Sequence, residues 1–189
     1  GTPAASDQAN FAEDGTPWIT PADLSGYEGT RITHGRRSLS PRGLATSGAK
    51  LLPRESVLFT SRAPIGNCVI AANELATSQG FKNIILNPAM RPDYVRFYLA
   101  GSREYAESRA SGTTFKELSA TKFATLRIPV APPEEQSRIA DRLVALTDLE
   151  RDALSATAAA RRASVRLRAA ALRSAFTGEL TADWRESRD

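Results

Sequence analysis

Cysteine, histidine and long apolar runs are almost absent from this chain of 189 residues. The one cysteine, Cys68, cannot form an internal disulfide, and in the apolar stretch "NCVIA" a free thiol packs as a small buried side chain. A reducing compartment, the cytoplasm, is therefore expected. No apolar run reaches the roughly 18 residues that a membrane helix needs. No charged-then-apolar leader opens the sequence, so secretion is not expected.

Catalytic motifs are also missing from the sequence. His34 is the one histidine, so a Cys/His pair would have to combine residues from two unrelated segments. No Cys or His spacing suits a metal, and no Walker-type loop or GxGxxG follows a strand. The neighbours of His34 in "RITHGRR" favour a surface or phosphate-contacting role. These absences argue against an enzyme and predict neither a cofactor nor a metal.

Positive charge is concentrated in the first part of the chain. Residues 1–133 contain 15 basic and 11 acidic residues, whereas the remainder contains 10 of each. Residues 31–62 contain seven basic residues and only one acidic residue, Glu55. Such an excess attracts a polyanion, although a solvated basic surface is the alternative interpretation.

The first 131 residues are predicted to form a mixed α+β domain. The segment 56–71, "SVLFTSRAPIGNCVIA", has two β-forming runs around a Pro/Gly turn, which indicates paired strands. Residues 83–87 and 126–130 are predicted as further short strands. Aromatic residues at helical spacing follow Asp93. Residues 1–30 are rich in turn-forming side chains and are predicted as loop with short extended pieces.

A long helix is predicted after the two prolines at 132 and 133. Residues 134–176 contain no Gly or Pro, two acids open the segment, and Gly178 follows as a stop signal. We therefore divide the chain into a domain of residues 1–131, a helical segment of residues 132–178 and a tail of residues 179–189.

An apolar seam runs along this helix at near-heptad spacing, which is typical of a coiled coil. Its members are Ile139, Leu143, Leu146, Ala153, Ala160 and Leu167. A lone helix cannot bury such a seam, so a partner helix is predicted, from a second copy or from another chain. A spectrin-like packing spacer is the alternative.

Six short motifs then occur in one order along the chain. They are residues 15–24 "GTPWITPADL", 61–66 "SRAPIG", 77–82 "TSQGFK", 112–117 "GTTFKE", 128–139 "IPVAPPEEQSRI" and 172–184 "LRSAFTGELTADW". In this order, ending at a long helix, the chain resembles the target-recognition half of a type I restriction–modification specificity (S) subunit.

The resemblance implies a fold, a function and partners. A target-recognition domain of this family binds one half of a split double-stranded DNA site. The following helix packs antiparallel on its counterpart from a second half and acts as a ruler between half-sites. The subunit has no catalytic activity and docks methyltransferase (M) subunits, and through them the restriction (R) subunit. A homodimer, or pairing with a second half, is therefore expected.

The sequence departs from the family pattern in two respects. A full S subunit carries two such halves, and one is present here. The usual opening strand before the "GGTP" turn is not seen. A truncated piece and a natural half-subunit both remain open as explanations.

Two kinds of DNA contact are expected, with Lys and Arg on phosphates and polar side chains on base edges. We expect Arg31, Arg36, Arg37 and Arg42 on DNA-facing loops between the first strands. The other candidates are His34, Lys50, Arg54, Arg62, Lys82, Thr113, Thr114 and Lys116. In "GTTFK" the two hydroxyls and the ammonium group could clamp a phosphate, or the threonines could bond the local backbone.

Two other functions remain open from the sequence. The chain could be the target-recognition fragment of a fused methyltransferase or restriction enzyme, although no cofactor loop is visible. It could also be a helical adaptor whose basic head binds protein.

Overall fold

The computed structural model describes residues 2–62, 64–112 and 116–187, in which eight short strands form two four-stranded sheets. The strands are β1 (Phe11–Ile19), β2 (Arg31–Ile32), β3 (Arg37–Leu39), β4 (Leu51–Leu52), β5 (Val57–Thr60), β6 (Cys68–Ala71), β7 (Leu75–Thr77) and β8 (Phe81–Ile84).

The first sheet has the strand order β3-β1-β7-β4. β1 runs antiparallel to β3 and parallel to β7, with Trp18 opposite both Arg37 and Ala76. The prediction of loop with short extended pieces for residues 1–30 is therefore wrong for the nine residues of β1. Its turn-forming residues are held extended by pairing with strands that lie later in the sequence, which local propensity does not show.

The second sheet has the order β2-β6-β5-β8. The predicted pairing within residues 56–71 is confirmed, since β5 and β6 are antiparallel with Val57 opposite Ile70. Both faces of these strands are buried. Val57 and Ile70 belong to a core shared with the helices, whereas Leu58 and Val69 belong to a second core with residues of the first sheet. Burial on both sides explains why the strands are continuously apolar.

Six α-helices occur in the described part of the chain. They are α1 (Pro41–Thr46), α2 (Pro92–Gly101), α3 (Arg103–Arg109), α4 (Ala120–Phe123), α5 (Pro133–Thr177) and α6 (Ala182–Glu186). The predicted strand at residues 126–130 is wrong, because these residues form no strand. Pro129 has no N–H to give to a sheet, and its carbonyl accepts a hydrogen bond from the Tyr94 hydroxyl at 3.0 Å instead.

The predicted long helix is confirmed as α5, whose 45 residues span about 65 Å. It ends where Gly178 adopts a left-handed φ of 81°, a conformation that costs a residue with a Cβ more than it costs glycine. The structure separates into two compact units, Gly1–Asp141 and Arg142–Asp189. The division falls inside α5, because Gln136 and Ala140 of its first turns are buried in the first unit.

The expectation of a mixed α/β head followed by a long helix is confirmed. Cys68 is buried, as its apolar surroundings predicted, and burial raises the pKa of its thiol to about 12. None of the described helices combines the length and the hydropathy required to cross a bilayer.

Candidate nucleic-acid interface

Glu117 joins three of the sequence motifs in the first unit. Its carboxylate oxygens lie 3.1 Å from Nη2 of Arg62 and 3.7 Å from Nζ of Lys82. Lys82 also donates a hydrogen bond to the Ser61 hydroxyl at 3.1 Å. Backbone hydrogen bonds of 2.8 and 3.0 Å between Ser111 and Glu117 close the base of the "GTTFK" segment. Two of the predicted DNA contacts therefore already have a carboxylate partner.

Lys82 shares a cleft of about 540 Å³ with Lys50. Lys50 is exposed and directly precedes β4, an edge strand of the first sheet. Lys82 lies on β8, an edge strand of the second sheet, and its side chain is 16% exposed. The polar residues that line the cleft with them are Thr2, Thr77, Ser78, Gln79 and Asn83. No carboxylate is among the described lining residues. Because Glu117 lies 3.7 Å from Lys82, the uncompensated positive charge of this surface comes from Lys50.

A second groove is lined by His34, Arg36 and Arg37. The Asp23 carboxylate holds the connecting loop by accepting a hydrogen bond from the Arg36 N–H at 3.0 Å, while the Arg36 side chain remains 79% exposed. The guanidinium carbon of Arg37 lies 3.2 Å from the ring centre of Phe11, a cation–π contact. The exposed His34 shares a hydrogen bond of 2.8 Å with the hydroxyl of the preceding threonine.

Arg31 and Arg54 are engaged by carboxylates. Oε1 of Glu55 lies 2.6 Å from Nη1 of Arg31 and 3.3 Å from Nε of Arg54, and Oδ2 of Asp93 lies 3.0 Å from Nη2 of Arg31. The hydrogen bond between Arg31 and Glu55 lowers the pKa of Glu55 and raises the pKa of Arg31. Because Arg31 is on β2 and Asp93 is on α2, this network fastens the second sheet to a helix.

Only one of the four arginines expected on loops lies on one. Arg36 is in the connection between β2 and β3, whereas Arg31 and Arg37 are on strands and Arg42 is on α1. Arg31 lies opposite Ile70 and Arg37 lies opposite Trp18, and the turn-rich composition of the sequence did not indicate these strand pairings. Nη2 of Arg42 lies 3.3 Å from a carboxylate oxygen of Asp7.

The predicted "GTTFK" clamp falls largely outside the described residues, because Thr113 and Thr114 belong to the part not described. Lys116 is described and exposed. The clamp therefore remains a prediction.

The predicted basic residues are divided among separate places on the head. β3, which begins with Arg37, and β4, which follows Lys50, are opposite edges of the first sheet. β2 with Arg31 and β8 with Lys82 are opposite edges of the second sheet. These residues were grouped in the sequence analysis because all of them are basic. Charge does not determine which strand edge each residue occupies.

Two amide side chains beside the lysines were missed by the sequence analysis. Gln79 lies in the turn between β7 and β8, and Asn83 lies on β8. Their presence in and near the motif "TSQGFK" was the available signal, but nothing in the sequence placed that turn beside Lys50.

The predicted seam residues of α5 differ in their surroundings. Ile139 packs against the core of the first unit. In the second unit Leu143 is half-buried, whereas Leu146 is 46% exposed and Leu167 is 72% exposed. Other large apolar side chains of α5 are also exposed, namely Leu149, Leu154, Val165, Leu172 and Phe176.

Comparison with known families identifies the chain. The family model described as the type I restriction modification DNA specificity domain matches residues 1–157, which is more than half of the sequence. The chain belongs to this family. The resemblance seen in the motifs is thereby confirmed.

Curated relatives of this specificity family agree with the match. The type I restriction enzyme MjaIX specificity subunit of Methanocaldococcus jannaschii is 39% identical over 136 residues, which are 70% of this chain and 31% of that protein. The type I restriction enzyme EcoR124I/EcoR124II specificity subunit of Escherichia coli is 26% identical over 76% of this chain and 36% of that protein. The chain thus spans about a third of their lengths. These names give no support to the alternative of a fused enzyme.

Solved structures share the fold of this family member. The HsdS subunit from Thermoanaerobacter tengcongensis has a TM-score of 0.59 at 18% identity, covering 80% of this chain and 35% of that one. The S subunit of a type I system from M. genitalium has a TM-score of 0.50 at 15% identity, covering 75% of this chain and 34% of that one. The mixed α/β head with its long helix is therefore the fold of S subunits.

Proposed function

We propose that this chain is one recognition half of a type I specificity subunit and binds one half of a bipartite duplex DNA target. The observation that carries the proposal is the match of the DNA specificity domain over residues 1–157. The match covers about a third of each relative, and the described residues contain one head and one long helix, which supports the description as a half. Its role is recognition rather than catalysis, and action on cellular DNA would place it in the cytoplasm.

DNA contact is assigned to the head, and three groups of side chains are proposed for it. The first is the cleft pair Lys50 and Lys82. The second is the groove of His34, Arg36 and Arg37. The third comprises the remaining candidates Arg31, Arg42, Arg54, Arg62, Lys116, Thr113 and Thr114. Arg36 and Lys50 are the strongest phosphate contacts, because both side chains project into solvent and Arg36 would give up only a long contact of 3.8 Å with Asp23.

The helix is assigned to pairing and docking. The exposed apolar side chains of α5, with the seam residues Leu146 and Leu167 among them, support pairing with a second half or a second copy. Docking of M subunits, and of the R subunit through them, is proposed from family membership. In this assembly the helix would determine the separation of two half-sites.

The test is selection of bound duplexes from a randomised library by the full chain, followed by affinity measurements at several salt concentrations. We expect one short enriched sequence, an affinity that falls linearly on a log–log plot with salt, and tighter binding to two inverted copies than to one. Failure to enrich any sequence, with weak and salt-insensitive binding, would reject the proposal and favour the protein-binding adaptor.

A further inference from the structure

The cleft between the edges of the two sheets combines features that suit contact with DNA bases. It lies beside β4 at the edge of the first sheet and is lined by residues of β8 at the edge of the second. Among its described lining residues are two cations and two amides but no carboxylate. A polyanion can therefore approach this surface without repulsion from a lining acid.

The amides in the cleft differ in how firmly they are held. Nδ2 of Asn83 donates a hydrogen bond to Oγ1 of Thr77 at 2.7 Å, which orients the Asn83 amide. Gln79 is exposed at the tip of the turn between β7 and β8, and its side chain has no hydrogen-bond partner among the described residues. The Gln79 amide thus offers a donor and an acceptor together.

Trp18 supplies an independent observation in the same cleft. The indole is buried, and its Nε1 has no hydrogen-bond acceptor in the part of the chain that the structure describes. A buried donor without an acceptor costs roughly 1–3 kcal/mol. Most buried donors in proteins are paired, so a donor of this kind beside a polar cleft is consistent with a site that is completed by a ligand.

The other basic surfaces are less suited to reading bases. Glu13 lines the groove that contains Arg36 and Arg37. Arg31 and Arg54 are already engaged by Glu55. The cleft differs from both surfaces because no carboxylate is among its described lining residues and no carboxylate of the described residues is paired with Lys50, although Glu117 lies 3.7 Å from Lys82.

We propose, on the basis of the proposed function, that Gln79 reads an adenine edge in the major groove while Lys50 contacts a neighbouring phosphate. Glutamine matches adenine because its amide can donate to N7 and accept from the N6 amino group at once. Lys50 is exposed, and the four-carbon stem of a lysine can adjust its ammonium group to the position of a phosphate. Lys82, held by Ser61 and Glu117, contributes fixed positive charge to the cleft wall.

Single variants separate base reading from phosphate contact. With Gln79→Ala, selection from the random library is expected to show a roughly tenfold or greater loss of adenine preference at one position, with the salt slope unchanged. With Lys50→Ala, the salt slope is expected to fall by about one while the selected sequence stays the same. Gln79→Glu is expected to shift that position towards cytosine, whose N4 amino group donates to a carboxylate.

Two matched controls use exposed side chains that line neither the cleft nor the groove of His34, Arg36 and Arg37. They are Asn87→Ala for the amide and Arg127→Ala for the charge. Both controls should leave the preferred sequence unchanged. If Gln79→Ala selects the same sequence with the same preferences as the unmodified chain, the assignment of Gln79 is overturned while the proposed function stands. If the unmodified chain selects no sequence, the proposed function and this assignment fail together.

Discussion

The side-chain oxygen of Gln136, in the first turn of α5, accepts a hydrogen bond from the backbone N–H of Arg91 at 2.9 Å. The Gln136 amide nitrogen donates to the carbonyl of Ala131 at 2.8 Å, and the whole side chain is buried. Nη2 of Arg91 also lies 2.6 Å from a carboxylate oxygen of Asp141. The first turns of the long helix are thus fastened to the N-terminus of α2 within the first unit.

Gln136→Ala is expected to destabilise the first unit by about 1–3 kcal/mol, because the Arg91 N–H and the Ala131 carbonyl would lose a buried partner. Urea unfolding followed by circular dichroism measures the change. The exposed Gln8→Ala is the matched control and should change stability by less than about 0.5 kcal/mol. Equal unfolding midpoints for the two variants would show that the buried amide contributes little.

Asp141→Ala tests the ion-pair part of the same contact separately. Because the Asp141 side chain is 67% exposed, its loss should cost less than about 1 kcal/mol. A loss as large as that of Gln136→Ala in the same urea titration would contradict the view that the buried amide dominates.

The groove that contains Arg36 and Arg37 gives a prediction on DNA binding. Replacing both arginines by alanine should weaken binding and lower the salt slope by up to about two, since each phosphate contact releases nearly one counterion. Fluorescence anisotropy on a labelled duplex at several salt concentrations measures the slope. Arg151→Ala on α5 is the control, and a slope unchanged in the double variant would place this groove away from the DNA.

The exposed apolar residues of α5 predict self-association. Sedimentation of the unmodified chain at tens of micromolar should show a dimer, and Leu146→Glu with Leu167→Glu should shift it towards monomer, since charge in a coiled-coil seam opposes burial. Ser155→Glu lies on the opposite face at about 100° per residue and should leave association intact. A strict monomer for the unmodified chain would reject pairing between copies.

Cys68 predicts a dependence of stability on alkaline pH. Burial raises the pKa of its thiol from 9.0 to about 12, so folding favours the protonated form. The stabilisation is complete below the unfolded pKa and is lost as pH rises towards the folded pKa. The difference in unfolding free energy between the unmodified chain and Cys68→Ala should therefore shrink between about pH 9 and pH 12. A constant difference would mean that the thiol ionises equally in both states.

The sequence correctly predicted those helices and strands that are determined by residues close to one another in the chain. α5 was predicted nearly to the residue, because helix formers without Gly or Pro, opening acids and a terminal glycine act within a few residues of one another. The β5–β6 pair was predicted for the same reason. β1 was missed and a strand at residues 126–130 was wrongly predicted. Whether a segment forms a strand depends on pairing with segments distant in sequence, as β1 pairs with β3 and β7.

The candidate site was predicted by type of residue but not by position. Positive charge and the motifs indicated DNA recognition, and the family match confirmed the specificity family. The neighbours of each basic residue could not be predicted, since Glu117 meets Arg62 across an interval of more than fifty residues.

What the sequence determined by itself is the class of the protein and its long helix, because motif order and helix propensity are properties of consecutive residues. Only the tertiary structure decided which cations are engaged and which remain available. Arg31 is held by Glu55 and Asp93, whereas Lys50 lies exposed beside Gln79 in a cleft that has no carboxylate among its described lining residues. The physical reason is that the interaction energy between two charges depends on the distance that separates them, and folding sets that distance.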